Sequence, residues 1–301
     1  MDLKVSIDQA RELRRQTGNG LPAASTGQAP EQEAPGWAAP VYRECRSVAL
    51  DPDKLLKNHC VCFFPDAPEL GPYKLLRTQI VHRCKPHHWN TIMITSALPG
   101  EGKTLTAINL AFTFARGYGQ TALLVDCDLQ RQVIFQYLGI SSPVGLADYL
   151  QEDAPFKDII IWPGVEKLTF ISGGDPVHNS AELISSPRMA ELASEMKTRY
   201  ADRYLFFDLP PLLVGADALA FAPLVDCILL VVQPRTSFED LQRALDLIPK
   251  EKFLGFVLNR VEASNDDYYS YRYRYSRKKQ DGSDLGGSVV LWFRGSAALR
   301  L

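Results

Sequence analysis

Residues 91–104 constrain the fold more than any other stretch. A β-branched, apolar run, Thr91-Ile-Met-Ile-Thr-Ser96, passes through Ala97-Leu98-Pro99-Gly100-Glu101-Gly102 into Lys103-Thr104 and a helical pattern over Lys103–Arg116. Glycines at 100 and 102 let backbone N–H groups turn inward, and the helix N-terminus adds partial positive charge, so the segment can cradle a phosphate. Lys103 is then expected at the β- and γ-phosphates of ATP, with the Thr104 hydroxyl on Mg²⁺. Pro99, Gly100, Glu101, Gly102 and Leu105 complete the expected nucleotide-contacting set. Alanine holds the first motif position, which relaxes the strict G-x-x-x-x-G-K-[ST] pattern there.

The flanking chain repeats the same texture. Apolar runs at Thr121–Asp126, Leu168–Ser172, Tyr204–Asp208, Cys227–Val232 and Leu254–Leu258 read as strands buried on both faces. Helical patterns cover Tyr73–Arg83, Ala181–Thr198, Asp217–Leu224 and Phe238–Ile248. Repeated βα units predict an α/β fold: a doubly wound, mostly parallel sheet with helices on both faces. Two of the runs end in acids, Asp126-Cys-Asp128 and Asp208-Leu-Pro-Pro211. Ligands gather at strand carboxyl ends in such sheets, and a phosphate loop needs a carboxylate near its metal, so Asp126, Asp128 and Asp208 are the candidate acids.

Composition excludes several alternatives. The net charge of −2 gives no bulk electrostatic case for nucleic acid. The most apolar stretch, 218–232, is interrupted by Pro223 and Asp226 and falls short of the roughly 20 apolar residues of a membrane span. The N-terminus lacks a signal-peptide apolar core, so the expectation is a cytoplasmic protein. His59, Cys60, Cys62, His82 and Cys84 do not show the usual C-x₂₋₄-C spacing of a zinc site. The expected organisation is a charged helix over 1–16 and a Gly/Pro/Ala/Ser-rich linker over 17–40 within residues 1–60, a P-loop domain over 61–262, and a flexible tail over 263–301.

The tail opens with a tyrosine cluster: Tyr268, Tyr269, Tyr271, Tyr273 and Tyr275, five of the chain's twelve tyrosines, interleaved with arginines. Three readings fit that pattern. Tyr/Arg alternation suits an edge strand. Aromatics between cations suit single-stranded nucleic acid. Hydroxyls on a polar segment also suit phosphate acceptors entering an active site.

The set of SALPGEGKT, LLVDCDLQRQ, FFDLPP, Asn179–Ser186, Gly215-Ala-Asp217-Ala and the tyrosine cluster resembles the bacterial tyrosine autokinases of capsule and exopolysaccharide synthesis, over about 73–275. The resemblance implies ATP-dependent phosphorylation of the clustered tyrosines on a neighbouring subunit of a homo-oligomer. It makes Asp126 the base for the tyrosine hydroxyl, gives Asp128 and Asp208 to the metal, and places Asn259 at the adenine. It also implies a membrane-embedded activating partner, expected here as a separate chain at the inner face of the plasma membrane. The chain departs from the family at the E-x-x-R-x-x-R assembly motif, which reads Gly71, Lys74 and Arg77, and at the Arg/Pro-rich segment after the paired acids, which reads Gln130-Arg131-Gln132. The apolar patch Val289–Phe293 has no role in the resemblance beyond docking. A partition- or septum-positioning ATPase shares the fold and loop, but such proteins usually carry a lysine early in the loop. Ala97-Leu98-Pro99 has none. A weakly active regulatory subunit of an export complex stays open.

Overall fold

The computed structural model describes residues 45–141, 144–152, 154–200, 202–261 and 288–292, the last by backbone alone. The expected helix over 1–16, the linker over 17–40 and the tyrosine cluster lie outside them.

The strands are β1 (Arg46–Ser47), β2 (Thr91–Ser96), β3 (Thr121–Asp126), β4 (Ile160–Trp162), β5 (Leu168–Ile171), β6 (Arg203–Asp208), β7 (Cys227–Val232), β8 (Phe253–Val261) and β9 (Ser288–Trp292). They form one sheet in the order β1-β4-β5-β3-β6-β2-β7-β8-β9. The six central strands run parallel. β4 and β9 pair antiparallel with β5 and β8, outside that block.

Period-two alternation sends successive side chains to two cores. Ile92, Leu124, Phe206 and Leu229 join one, and Met93, Leu123, Leu205 and Ile228 the other. The first core is covered by α1 (Pro52–Lys57), α2 (Leu70–Cys84), α3 (Lys103–Ala115) and α4 (Ile134–Leu138). The second lies under α5 (Leu146–Glu152), α6 (Phe156–Ile159), α7 (Ser180–Ile184), α8 (Pro187–Arg199), α9 (Asp217–Phe221) and α10 (Phe238–Asp246). Helices on both faces of a mostly parallel sheet are the architecture expected from the sequence.

The helix α3 has eleven buried residues because it lies between the sheet and α2. Asn109 and the Thr113 carbonyl hold neighbouring segments to it. Asn109 accepts from Cys62 N–H at 2.9 Å and donates to His59 O at 3.0 Å. Arg77, at the third assembly-motif position, donates to Thr113 O at 2.7 Å and so folds onto its own subunit.

Four expectations are corrected. The stretch 181–198 is two helices, because Ser186 caps a new one at Pro187, its hydroxyl accepting from Met189 N–H at 3.2 Å. The stretch 217–224 ends in a 3₁₀ turn over Ala222–Leu224. The domain begins before 61: Leu50 and Leu55 are core residues. Residues 288–292, assigned to the tail, form β9 on the edge of the sheet.

Candidate functional site

The loop between β2 and α3 crosses the carboxyl ends of the central strands. Gly100 and Gly102 have φ of 81° and 92°, in the left-handed region that only glycine enters cheaply. At Gly102 a Cβ would also collide with the Asn259 side chain. Asn259 donates to Glu101 O at 2.9 Å, so β8 holds the loop from behind. Pro99 and Gly100 form the exposed crest, and Leu105 turns toward the core.

Any nucleotide contact at Glu101 is left to its backbone, because its carboxylate turns inward and is fully buried. One oxygen accepts from Leu98 N–H at 2.8 Å and the other from the Thr236 hydroxyl. Glu101 therefore braces the loop, and Thr236, which follows β7, joins the site unforeseen.

The structure brings Lys103, Thr104, Asp126, Asp128 and Asp208 together. The Lys103 ammonium lies 2.9 Å from Asp128 and 3.4 Å from Asp208. The Thr104 hydroxyl donates to Asp208 at 2.6 Å. Burial works against the Lys103 charge, but Asp208 and Asp128 outweigh it and shift its proton affinity upward. Asp208 is raised above the usual carboxylate range by burial, in part offset by Lys103 and Thr104.

Asp126 and Asp208 are register partners on neighbouring strands, yet Asp126 faces a different set of groups. Its two oxygens accept from Asp128 N–H at 3.2 Å and Ile134 N–H at 3.3 Å. It is fully buried, and burial, then the Asp208 charge, push it well above the ordinary carboxylate value. Asp128 is the member of the pair that reaches the surface beside Lys103, with 8% of its side chain exposed.

A polar cluster drawn from segments quoted for the resemblance sits next to these acids. Ser180 donates to Asp217 at 2.9 Å, and Gln130 donates to Ser180 Oγ at 2.8 Å. The segments Asn179–Ser186 and Gly215–Ala218 thereby meet the loop after β3.

All donors beside Lys103 are oxygens: one hydroxyl and two carboxylates, with Asp126 behind them. Two carboxylates lie on one ammonium with a third behind them, so the cluster is rich in acids. That donor set suits a hard divalent cation such as Mg²⁺.

A phosphate loop at the carboxyl end of a central parallel strand, faced by acids from its neighbours, defines a P-loop nucleotide-binding protein. The chain belongs to the CobQ/CobB/MinD/ParA nucleotide binding domain family, whose model matches residues 92–289, and within it to the bacterial tyrosine-protein kinases. It is 33% identical to the tyrosine-protein kinase YwqD of Bacillus subtilis over 221 residues, covering 72% of this chain and 92% of YwqD. It is 35% identical over 200 residues to the succinoglycan biosynthesis transport protein ExoP of Rhizobium meliloti, covering 62% of this chain and only 25% of ExoP. The crystal structure of the chimerical protein CapA2B2 superposes with a TM-score of 0.62 at 26% identity, over 74% of this chain and 95% of that one.

Proposed function

We propose that this chain transfers the γ-phosphoryl group of ATP to tyrosine hydroxyls, with Tyr268, Tyr269, Tyr271, Tyr273 and Tyr275 as acceptors on a neighbouring copy. The observation that carries this reading is the Lys103 ammonium set between Asp128 and Asp208 at the end of the phosphate loop, in a chain one third identical to a tyrosine-protein kinase.

The backbone of 99–104 and Lys103 would hold the β- and γ-phosphates. Thr104 and Asp208 would hold Mg²⁺, with Asp128 beside it; the metal would neutralise charge on the transferring phosphoryl group. Asp126 has both oxygens occupied by backbone N–H groups, so it positions the 126–134 loop. Asp128, which keeps 8% of its side chain exposed beside Lys103 whereas Asp126 is fully buried, is the better placed to receive the tyrosine proton. Asn259 would serve the loop through Glu101 and the adenine at the same edge. The kinase unit in this reading is the described domain up to Val261, with β9 on its edge.

The likeness to ExoP supports a place in exopolysaccharide synthesis or transport. No helix among the described residues is long and apolar enough to cross a membrane, so we propose attachment to the inner face of the membrane through a separate activating chain.

The test is tyrosine phosphorylation of the purified protein after Mg-ATP. Lys103→Met should abolish it with the fold intact, and near-wild-type signal in that variant would sink the assignment. Asp128→Asn should lower turnover far more than nucleotide affinity. If Asp126→Asn instead does so while Asp128→Asn does not, the proton goes to Asp126.

A further inference from the structure

The loops after β3 and β5 enclose a cavity of about 300 Å³ lined by Gln130, Arg131, Pro176, Val177 and His178. It adjoins the phosphate site directly: Arg131 N–H donates to Asp128 Oδ1 at 3.2 Å. Val177 N–H donates to Leu129 O at 3.0 Å and ties the two loops together. Gln130 is held by Ser180 and Asp217. Arg131 is exposed, and its guanidinium makes no ion pair among the described residues. His178, also exposed, faces the same space. A free cation at the rim of a strongly acidic site is suited to an anionic group arriving beside it.

The chain supplies such a group. Asp266 and Asp267 immediately precede Tyr268, whereas the far end of the cluster is basic, Arg277-Lys-Lys279. In an extended peptide alternate side chains share a face at about 7 Å spacing. Asp266 on Arg131 would then set Tyr268 about 7 Å away, toward Asp128. Reaching it within the same copy would take a fully extended segment. Val261 ends β8, which lies four strands from β3 and five from β5. At about 4.8 Å per strand that separation is roughly 19–24 Å. The five residues from Val261 to Asp266 span at most about 18 Å.

We propose that this cavity is the subsite for residues preceding an acceptor tyrosine, with Arg131 binding Asp266 of a second copy of the chain. The inference rests on the tyrosine-kinase reading and names its acceptor specificity.

Fluorescence anisotropy of the full chain in Mg-ADP tests it, using a labelled peptide of residues 263–271 and its D266K/D267K version. The acidic peptide should bind wild type about tenfold tighter than the lysine version, as befits a charge-assisted contact. Arg131→Glu should reverse that order, and the restored binding of the lysine peptide shows that the variant folds. An unchanged preference in Arg131→Glu, or equal binding of both peptides to wild type, overturns the proposal. Replacing the chain's own Asp266 and Asp267 by lysine should leave peptide affinity unchanged in dilute protein. A gain there means that the same copy fills the cavity and overturns the second-copy assignment. None of these readings requires phosphoryl transfer, so absent kinase activity would fail the function above separately.

Discussion

Val261, the last residue of β8, is the register partner of Ser288, the first residue of β9. Residues 262–287, which carry the tyrosine cluster, are therefore flanked on both sides by residues of one sheet edge. The same pairing covers the backbone of β8, which would otherwise present unpaired N–H and C=O groups.

The first prediction tests that cover. Leu291 pairs with Val257, and proline there strains the pairing. In Leu291→Pro, backbone amides of β8 between Phe256 and Val261 should exchange hydrogen about tenfold faster or more, while β2 and β3 keep their protection. Unchanged exchange in β8 would show that β9 gives the edge no protection in solution.

A second prediction concerns Glu101. Glu101→Ala leaves the Leu98 N–H without its acceptor, at a cost of about 1–3 kcal/mol. Melting temperature and nucleotide affinity should fall together, because the same bond shapes the loop. Glu101→Gln keeps an acceptor oxygen and should recover most of both. Equal loss in the two variants would mean that the negative charge, rather than the hydrogen bond, is what the loop uses.

The gap between sequence and structure has physical causes at particular residues. The strands β2, β3 and β7 were legible to the residue because burial on both faces makes their whole length apolar. Lys103, Thr104, Asp128 and Asp208 were legible because the strand–loop–helix order fixes where they must converge. The bracing role of the Glu101 side chain was not legible, because an acid in a phosphate loop looks the same whether it points outward or into its own loop. The break at Ser186-Pro187 was present as a cap signal but was overridden by the longer helical period. β4, three residues long at the margin of the parallel block, carried no alternation to read. The partner of β9 could not be inferred, since a short apolar run after a glycine-rich stretch does not say which edge it will cover.

A third prediction lies at the opposite end of the sheet. Burial raises the Asp226 carboxyl, but Lys197, the Asn90 and Thr91 N–H groups and the Thr91 hydroxyl together outweigh it and hold the group below its usual value. A depressed carboxylate stabilises the fold above its unfolded value near 3.8, and that contribution is lost as pH falls through the folded value. Acid unfolding of wild type should therefore include a component below about pH 4 that Asp226→Asn lacks. Thermal melts between pH 3 and 7 would measure it. Curves of identical shape for the two proteins would remove Asp226 as a contributor.

The last prediction concerns what phosphorylation does to association. Residues 265–279 carry Arg272, Arg274, Arg277, Lys278 and Lys279 against Asp266 and Asp267, a net +3. Each phosphotyrosine adds about −1.5 to −2, so modification of several reverses the sign. The positive segment is attracted to a neighbour's site, where Asp128 and Asp208 flank a single lysine with Asp126 behind them. The negative one is repelled by it and by other modified segments. The unphosphorylated chain should self-associate and the phosphorylated chain should be more monomeric, with the difference shrinking at high salt. Sedimentation of Lys103→Met beside fully phosphorylated wild type would show this. Equal masses, at concentrations where either associates, would rule the switch out. Glutamate at all five cluster positions should weaken association, whereas phenylalanine, which keeps the rings without charge, should preserve it.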